Sequence, residues 1–216
     1  MRPMEKVPTG PALLPRHSTA ERLTHWTVAL AYVALFCSGL AMFHPYFFWL
    51  SALFGGGPLM RVIHPFLGVA FFVAFYAYAL PLLGDNRLLP SDRRWLAGMF
   101  RYMNEKAELY VEGKYNAGQK LMYWSMILVI ALLLVTGILV WRPYFASGVP
   151  IPLRRVANLV HAAMAFVMFV GIGVHVYAAY WTKGSIKAMT RGTVTRAWAR
   201  LHHPGWYRNV VGKAGR

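Results

Sequence analysis

Four long stretches of this chain carry almost no polar side chains, and the segments between them are basic, polar or rich in Pro and Gly. The apolar stretches cover about 25–43, 62–83, 121–140 and 156–181, close to the ~20 residues an α-helix needs to cross a hydrocarbon layer. No water is present there to satisfy a backbone, so unbroken runs of this length predict helices. The expected fold is all-α, an integral membrane four-helix transmembrane bundle. It divides the chain into an N-terminal tail (1–24), the membrane domain (25–181) and a basic C-terminal tail (182–216).

The basic residues give the bundle a direction. Nineteen Lys and Arg lie in the first tail, the 81–120 connection and the last tail, against four in the 44–61 and 141–155 loops. The positive-inside rule then predicts both termini and the middle connection in the cytoplasm. A formal net charge of +16 would suit a nucleic-acid binder. Here the charges sit between and after the apolar runs, where they set topology and meet anionic membrane lipid, so no nucleic-acid partner is expected. With 57% hydrophobic and 14% charged residues and mean hydropathy +0.40, no large soluble domain fits. Pro3, Pro8, Pro11 and Pro15 break any apolar core in the first twenty residues, which predicts a loose tail rather than a cleaved signal peptide.

Composition also narrows the chemistry. A single cysteine, Cys37, excludes an intrachain disulfide, a thiolate-held Fe–S cluster carried by this chain alone and CxxCH haem attachment. No P-loop, GxGxxG or HExxH is present, and the seven acids form no inward-facing pair. The outer loops, HPYFFWLSALFGGGP and WRPYFASGVPIP, read as an interfacial aromatic belt and are also compatible with a docking surface for a periplasmic partner. A helix near 95–110 and another before Pro204 are expected to lie on the membrane surface. No repeat of fixed period is evident.

Ionisable groups inside membrane spans are costly and usually functional. The fourth span carries two, His161 and His175, fourteen residues apart. On a helix that is ~21 Å of rise and a return to within about 40° of the starting direction, so the imidazoles face the same way near opposite membrane faces. His64 begins the second span at the outer level and His25 opens the first at the inner level. Two axial imidazoles complete a haem suited to electron transfer, which pairs His64 with His161 and His25 with His175. A lone histidine in a span is more often a hydrogen-bonded core or proton-relay group; four in two depth-matched pairs favour ligation. Gly68, Gly171 and Gly173 would admit a macrocycle or simply close helix packing. His44 is an alternative outer ligand, and His17, His44, His202 and His203 are expected to be solvated or interfacial. Before the third span, KYNAGQK offers Asn116 and Gln119 amides with Gly118 between them. This suits a quinone carbonyl and, equally, a plain helix N-cap at Asn116.

Taken together, ERLTHW (21–26), IHPF (63–66), GKYNAGQK (113–120), WRPYF (141–145), VHAA (160–163), VHVYAAYWTKGSIKAM (174–189) and AWARLHHPGWYR (197–208) resemble the cytochrome b556 (gamma) subunits of membrane-bound respiratory formate dehydrogenases. The resemblance covers nearly everything from Glu21 to Arg208. It implies a di-haem cytochrome b in a bacterial inner membrane, with His64 and His161 on the outer haem b and His25 and His175 on the inner one. It further implies a menaquinone or ubiquinone site at Asn116, Gly118, Gln119 and His175. The implied partners are an Fe–S (beta) subunit and a molybdenum or tungsten catalytic (alpha) subunit, with room for a higher oligomer of the heterotrimer. This chain alone would not oxidise formate. The rival readings are the cytochrome b of a quinone-linked hydrogenase or thiosulfate reductase, and a haem-free anchor or transporter using the histidines as a proton relay.

Overall fold

In the computed structural model, residues 13–105 and 110–214 are described, and four helices have the length and hydropathy of membrane spans. They are α1 (Thr19–Phe43), α2 (Gly57–Ala79, extended by a 3-10 turn to Leu82), α4 (Ala117–Val140) and α5 (Ile151–Trp181), with α3 (Pro90–Glu105) between the second and third. Each span begins four to six residues before its apolar stretch, because its first turn is polar or capped. Ser18 starts α1: its hydroxyl accepts from the Glu21 backbone N–H (3.1 Å), and the Glu21 carboxylate accepts from the Ser18 N–H (2.6 Å). Asn116 and Gln119 build the same reciprocal box on α4, at 2.9 and 3.0 Å. Such boxes satisfy two of the donors a helix start leaves unpaired. In α2 and α5 a proline in the first turn, Pro58 or Pro152, does the equivalent by having no N–H to satisfy.

α1 packs along α2 and α4 along α5, and the two hairpins join through α2 and α4. Phe71, Met126, Val129, Ile130 and Met168 form the buried centre of the bundle. Two tyrosines stitch α2 to α4: the Tyr76 hydroxyl donates to the Ile127 carbonyl (2.7 Å), and the Tyr123 hydroxyl to the Ala79 carbonyl (2.9 Å). Four spans bring the chain back to the side where it began. One end of the bundle, the termini face, therefore carries the segments that lead into α1 and out of α5, and the other, the loop face, carries the 3-10 helix Pro45–Phe54 and the 141–150 turn.

The first helix of each hairpin and the turn after it are copies of one another. Ser18 and Asn116, Glu21 and Gln119, Trp26 and Trp124, Ser38 and Thr136, Gly39 and Gly137, Pro45 and Pro143, and Tyr46 and Tyr144 all stand 98 positions apart. The sequence reading sees no repeat; a single repeat of this length, with most apolar positions exchanged, shows only once α1 and α4 are seen to start from the same cap.

The first twenty residues, expected to be loose, are ordered from Leu13. Strand β1 (Leu13–Pro15) pairs antiparallel with β2 (Thr193–Thr195), Leu14 opposite Val194. Around this ribbon fold α6 (Ser185–Arg191), α7 (Arg196–His202) and α8 (Pro204–Ala214), with a small core of Leu14, Ala188, Val194 and Ala199. Arg16 locks it. Its guanidinium lies 5.0 Å from the Trp198 ring centroid and 4.8 Å from that of Trp206, and donates to the Lys114 carbonyl. Burial lowers its pKa to about 10. The helix expected near 95–110 begins earlier, at Pro90, and residues 106–109 of that expectation lie outside the described residues. It is tied to the bundle by Lys120, 1% exposed, whose ammonium donates to Asp92 at 2.8 Å.

Candidate functional site

α5 brings one histidine to each end of the bundle. Near the loop face His161 meets His64 of α2, ring centroids 6.4 Å apart. Near the termini face His175 meets His25 of α1 at 6.3 Å. Four predicted residues are thus joined in the two predicted pairs. A bond of about 2.0 Å from a metal to an imidazole nitrogen, plus about 1.1 Å from nitrogen to ring centre, puts two rings flanking one metal about 6.2 Å apart. Both observed separations fit. Among the described residues no three His, Cys, Asp or Glu side chains gather as a metal cage, so a metal between either pair needs its remaining ligands from a non-protein group. A porphyrin would supply four such ligands, and the ring separations of both pairs suit two axial imidazoles on one iron.

The two levels are furnished differently. At the loop face the Nδ1 atoms of His64 and His161 are engaged by Ser38 Oγ (2.7 Å) and Thr136 Oγ1 (3.0 Å). The helix backbone beside each ring is glycine: a Cβ on Gly39 would stand 3.7 Å from His64 Cε1, and one on Gly137 3.3 Å from His161 Cε1. At the termini face His25 lies among aromatic rings, edge-on to Trp26 (5.3 Å) and Tyr78 (6.2 Å), and among the described residues its buried Nδ1 has no hydrogen-bond partner. Ser38, Gly39, Thr136 and Gly137 escape a sequence reading because a small polar residue in an apolar helix usually bonds only its own preceding turn. Their recurrence 98 positions apart is the signal that finds them.

His44 does not join the loop-face pair. Its Nδ1 accepts from the Tyr46 N–H (3.2 Å) and its ring packs on Phe47, at the edge of a cavity of about 530 Å³ lined by Met42, Met60 and Arg61. His17 and His203, expected to be solvated, are instead buried against the Arg16 clamp, with side-chain exposure of 7% for His17 and residue exposure of 2% for His203. Burial lowers the His17 pKa to about 4, helped by the Lys114 and Arg16 charges, and lowers that of His203 to about 2, helped by Arg16.

Asn116 and Gln119 form the N-cap box of α4. The box uses both amide oxygens, which leaves both NH2 groups as donors. The space above Gly118 is taken by the Trp95 indole, 3.3 Å from where a Cβ would be. Among the described residues no hydrogen bond or ring contact joins this cap to His175.

Known proteins are similar to this chain over most of its length. The chain is 42% identical to the cytochrome b556 subunit of formate dehydrogenase from Haemophilus influenzae, over 91% of this chain and 83% of that one. It is 39% identical to the cytochrome b556(Fdn) subunit of the nitrate-inducible formate dehydrogenase of Escherichia coli K12, over 92% of each. Against the cytochrome b556(fdo) subunit of the same organism it is 41% identical, over 90% and 92%. These likenesses, with four apolar spans, make it a multi-pass membrane cytochrome b subunit, and haem b is the cofactor that such a family implies. Residues 16–192 match the family described as prokaryotic cytochrome b561, and the chain belongs to that family.

Proposed function

We propose that this chain is the electron-relay subunit of a membrane-bound formate dehydrogenase, holding one haem b between His64 and His161, a second between His25 and His175, and passing electrons to quinone. Haem b, when bound with imidazole on both axial positions, supplies one-electron chemistry and offers no open coordination site. The observation that carries this reading is the doubled spacing: two imidazole pairs at 6.3 and 6.4 Å, both built on α5.

The residues divide the work. α5 sets the vertical distance, since fourteen residues separate its histidines by ~21 Å of helix. At the termini face the NH2 groups of Asn116 and Gln119 would donate to a quinone carbonyl, with Gly118, the Trp95 indole and His175 as the other residues of the site. By the distribution of Lys and Arg this face is cytoplasmic, so protons taken up on menaquinone or ubiquinone reduction come from inside. The loop face then meets the Fe–S subunit, through which a molybdenum or tungsten catalytic subunit delivers electrons from formate.

The test is a dithionite-reduced spectrum and a pyridine haemochrome assay of the purified complex. Two b haems per chain, both reducible by formate, are expected; no b-type α-band overturns the reading. Gln119→Leu keeps both haems and slows quinone reduction about tenfold, the worth of one hydrogen bond of about 1–1.5 kcal/mol. Unchanged quinone kinetics would leave KYNAGQK as a helix cap alone.

A further inference from the structure

The two halves of the repeat place one hydroxyl and one glycine at the same height on α1 and α4, and each hydroxyl reaches across to the histidine of the following span. Ser38 Oγ lies 2.7 Å from His64 Nδ1, and Thr136 Oγ1 lies 3.0 Å from His161 Nδ1. A hydroxyl has one proton to give. Thr136 gives its proton to the Leu132 carbonyl at 2.6 Å, and Ser38 to that of Ala34 at 2.9 Å. An imidazole that ligates through Nε2 carries its proton on Nδ1, so toward such an imidazole each oxygen accepts and the Nδ1–H donates to it; the His161 ring also has the Leu133 carbonyl as an acceptor. The ligand assignment and the hydroxyl contacts thus agree on one tautomer, with the proton on Nδ1 and the lone pair on Nε2. Gly39 and Gly137 let each ring lie against the neighbouring helix, so the imidazole is held by a hydrogen bond at one edge and by backbone along its side. Among the described residues nothing comparable faces His25, whose Nδ1 has no hydrogen-bond partner there.

We propose that Ser38 and Thr136 are paired positioning residues for the loop-face haem. They hold His64 and His161 in the ligating tautomer and fix the ring planes. By accepting from Nδ1–H they raise the basicity of Nε2, which stabilises the oxidised iron and lowers that haem's potential relative to the termini-face haem. This rests on the ligand assignment under Proposed function.

The experiment uses the holo-complex and four variants: Thr136→Val, which keeps the shape and removes the hydroxyl, Thr136→Ser, which keeps the hydroxyl and removes a methyl, Ser38→Ala and Ser38→Thr. The readouts are haem content, redox titration of the α-band and the low-spin EPR signals. Thr136→Val and Ser38→Ala are expected to shift one of the two haems to higher potential and move its EPR signal, leaving the other unchanged, while Thr136→Ser and Ser38→Thr behave as wild type. A wild-type potential and signal in Thr136→Val, with a departure in Thr136→Ser, would show a packing role and overturn the proposal. Should Ser38→Ala fail to accumulate, the two Thr136 variants decide it. His161→Ala in the same preparation separates the layers of the argument. Retention of both haems overturns the ligand assignment itself; loss of one haem beside an unmoved Thr136→Val overturns only the role of the hydroxyls.

Discussion

The loop-face and termini-face histidine pairs share α5 and have nearly the same ring separation, 6.4 and 6.3 Å, yet they are built on opposite plans. The loop-face pair sits on the repeat: α2 and α5 each give a histidine, α1 and α4 each give a hydroxyl and a glycine, and the two halves contribute equally. The termini-face pair breaks it. His25 is on α1, but 98 positions later α4 has Tyr123, which instead ties α4 to Ala79 of α2. One hairpin seam is thus stitched by tyrosines while the other, α1 against α5, is bridged by histidines. A duplicated helix pair gives a symmetric site on its axis for nothing extra; an off-axis site exists twice unless one copy is given up, and here the tyrosines take its place.

The sharpest way to break this comparison is to remove one histidine from each level. His161→Ala and His25→Ala are each expected to leave one b haem of two, measured by pyridine haemochrome. Formate should still reduce the remaining haem only in His25→Ala, since in the proposed relay electrons enter at the loop face. Loss of both haems from either variant would mean that the levels are not independent. Next in size is Lys120→Met. It leaves Asp92 largely buried without its partner at a cost of about 3–5 kcal/mol, and should loosen α3 and the Asn116 cap, seen as faster hydrogen exchange at the termini face with the loop-face haem undisturbed.

Within the loop-face level, the two glycines differ. Gly137→Ala places a methyl 3.3 Å from His161 and is expected to cost about 1–3 kcal/mol as overpacking. Gly39→Ala has 3.7 Å, ordinary contact, and should be close to neutral. Thermal loss of the Soret band compares them directly. Near neutral pH the remaining contrast is silent, and it emerges only in acid. His17 and His203 are held neutral in the fold, at about 4 and about 2, below the ordinary ~6.5. The unfolded chain therefore binds these protons first, so their contribution is complete above about pH 6.5 and declines as the pH falls toward 4 and below. Hydrogen exchange should open residues 13–17 and 193–203 over that acid range before the bundle responds.

Much of the site is legible in the sequence because the membrane simplifies the problem. Apolar runs locate the spans, and the rise per residue converts the His161 to His175 interval into depth. The span starts are less legible, since the first turns at Ser18, Gly57, Asn116 and Ile151 are set by caps and prolines rather than by hydropathy. The β1–β2 ribbon is not legible at all: three residues pair with three others some 180 positions away, and no local pattern announces such a partner. His17 and His203 look exposed for the same reason, their cover being assembled from both ends of the chain. Ser38 and Thr136 are readable only by comparing the chain with itself.

The ribbon also orders events during synthesis. Leu13–Pro15 leave the ribosome early, but the strand that receives them, Thr193–Thr195, is made after all four spans. Until then Arg16 has neither Trp198 nor Trp206 to stack on, and the Lys114 carbonyl that leads into the α4 cap lacks its guanidinium donor. The termini face can close only on a chain translated through its last helices, so in a truncated product Leu13–Arg16 lack the strand and the rings that cover them in a finished one.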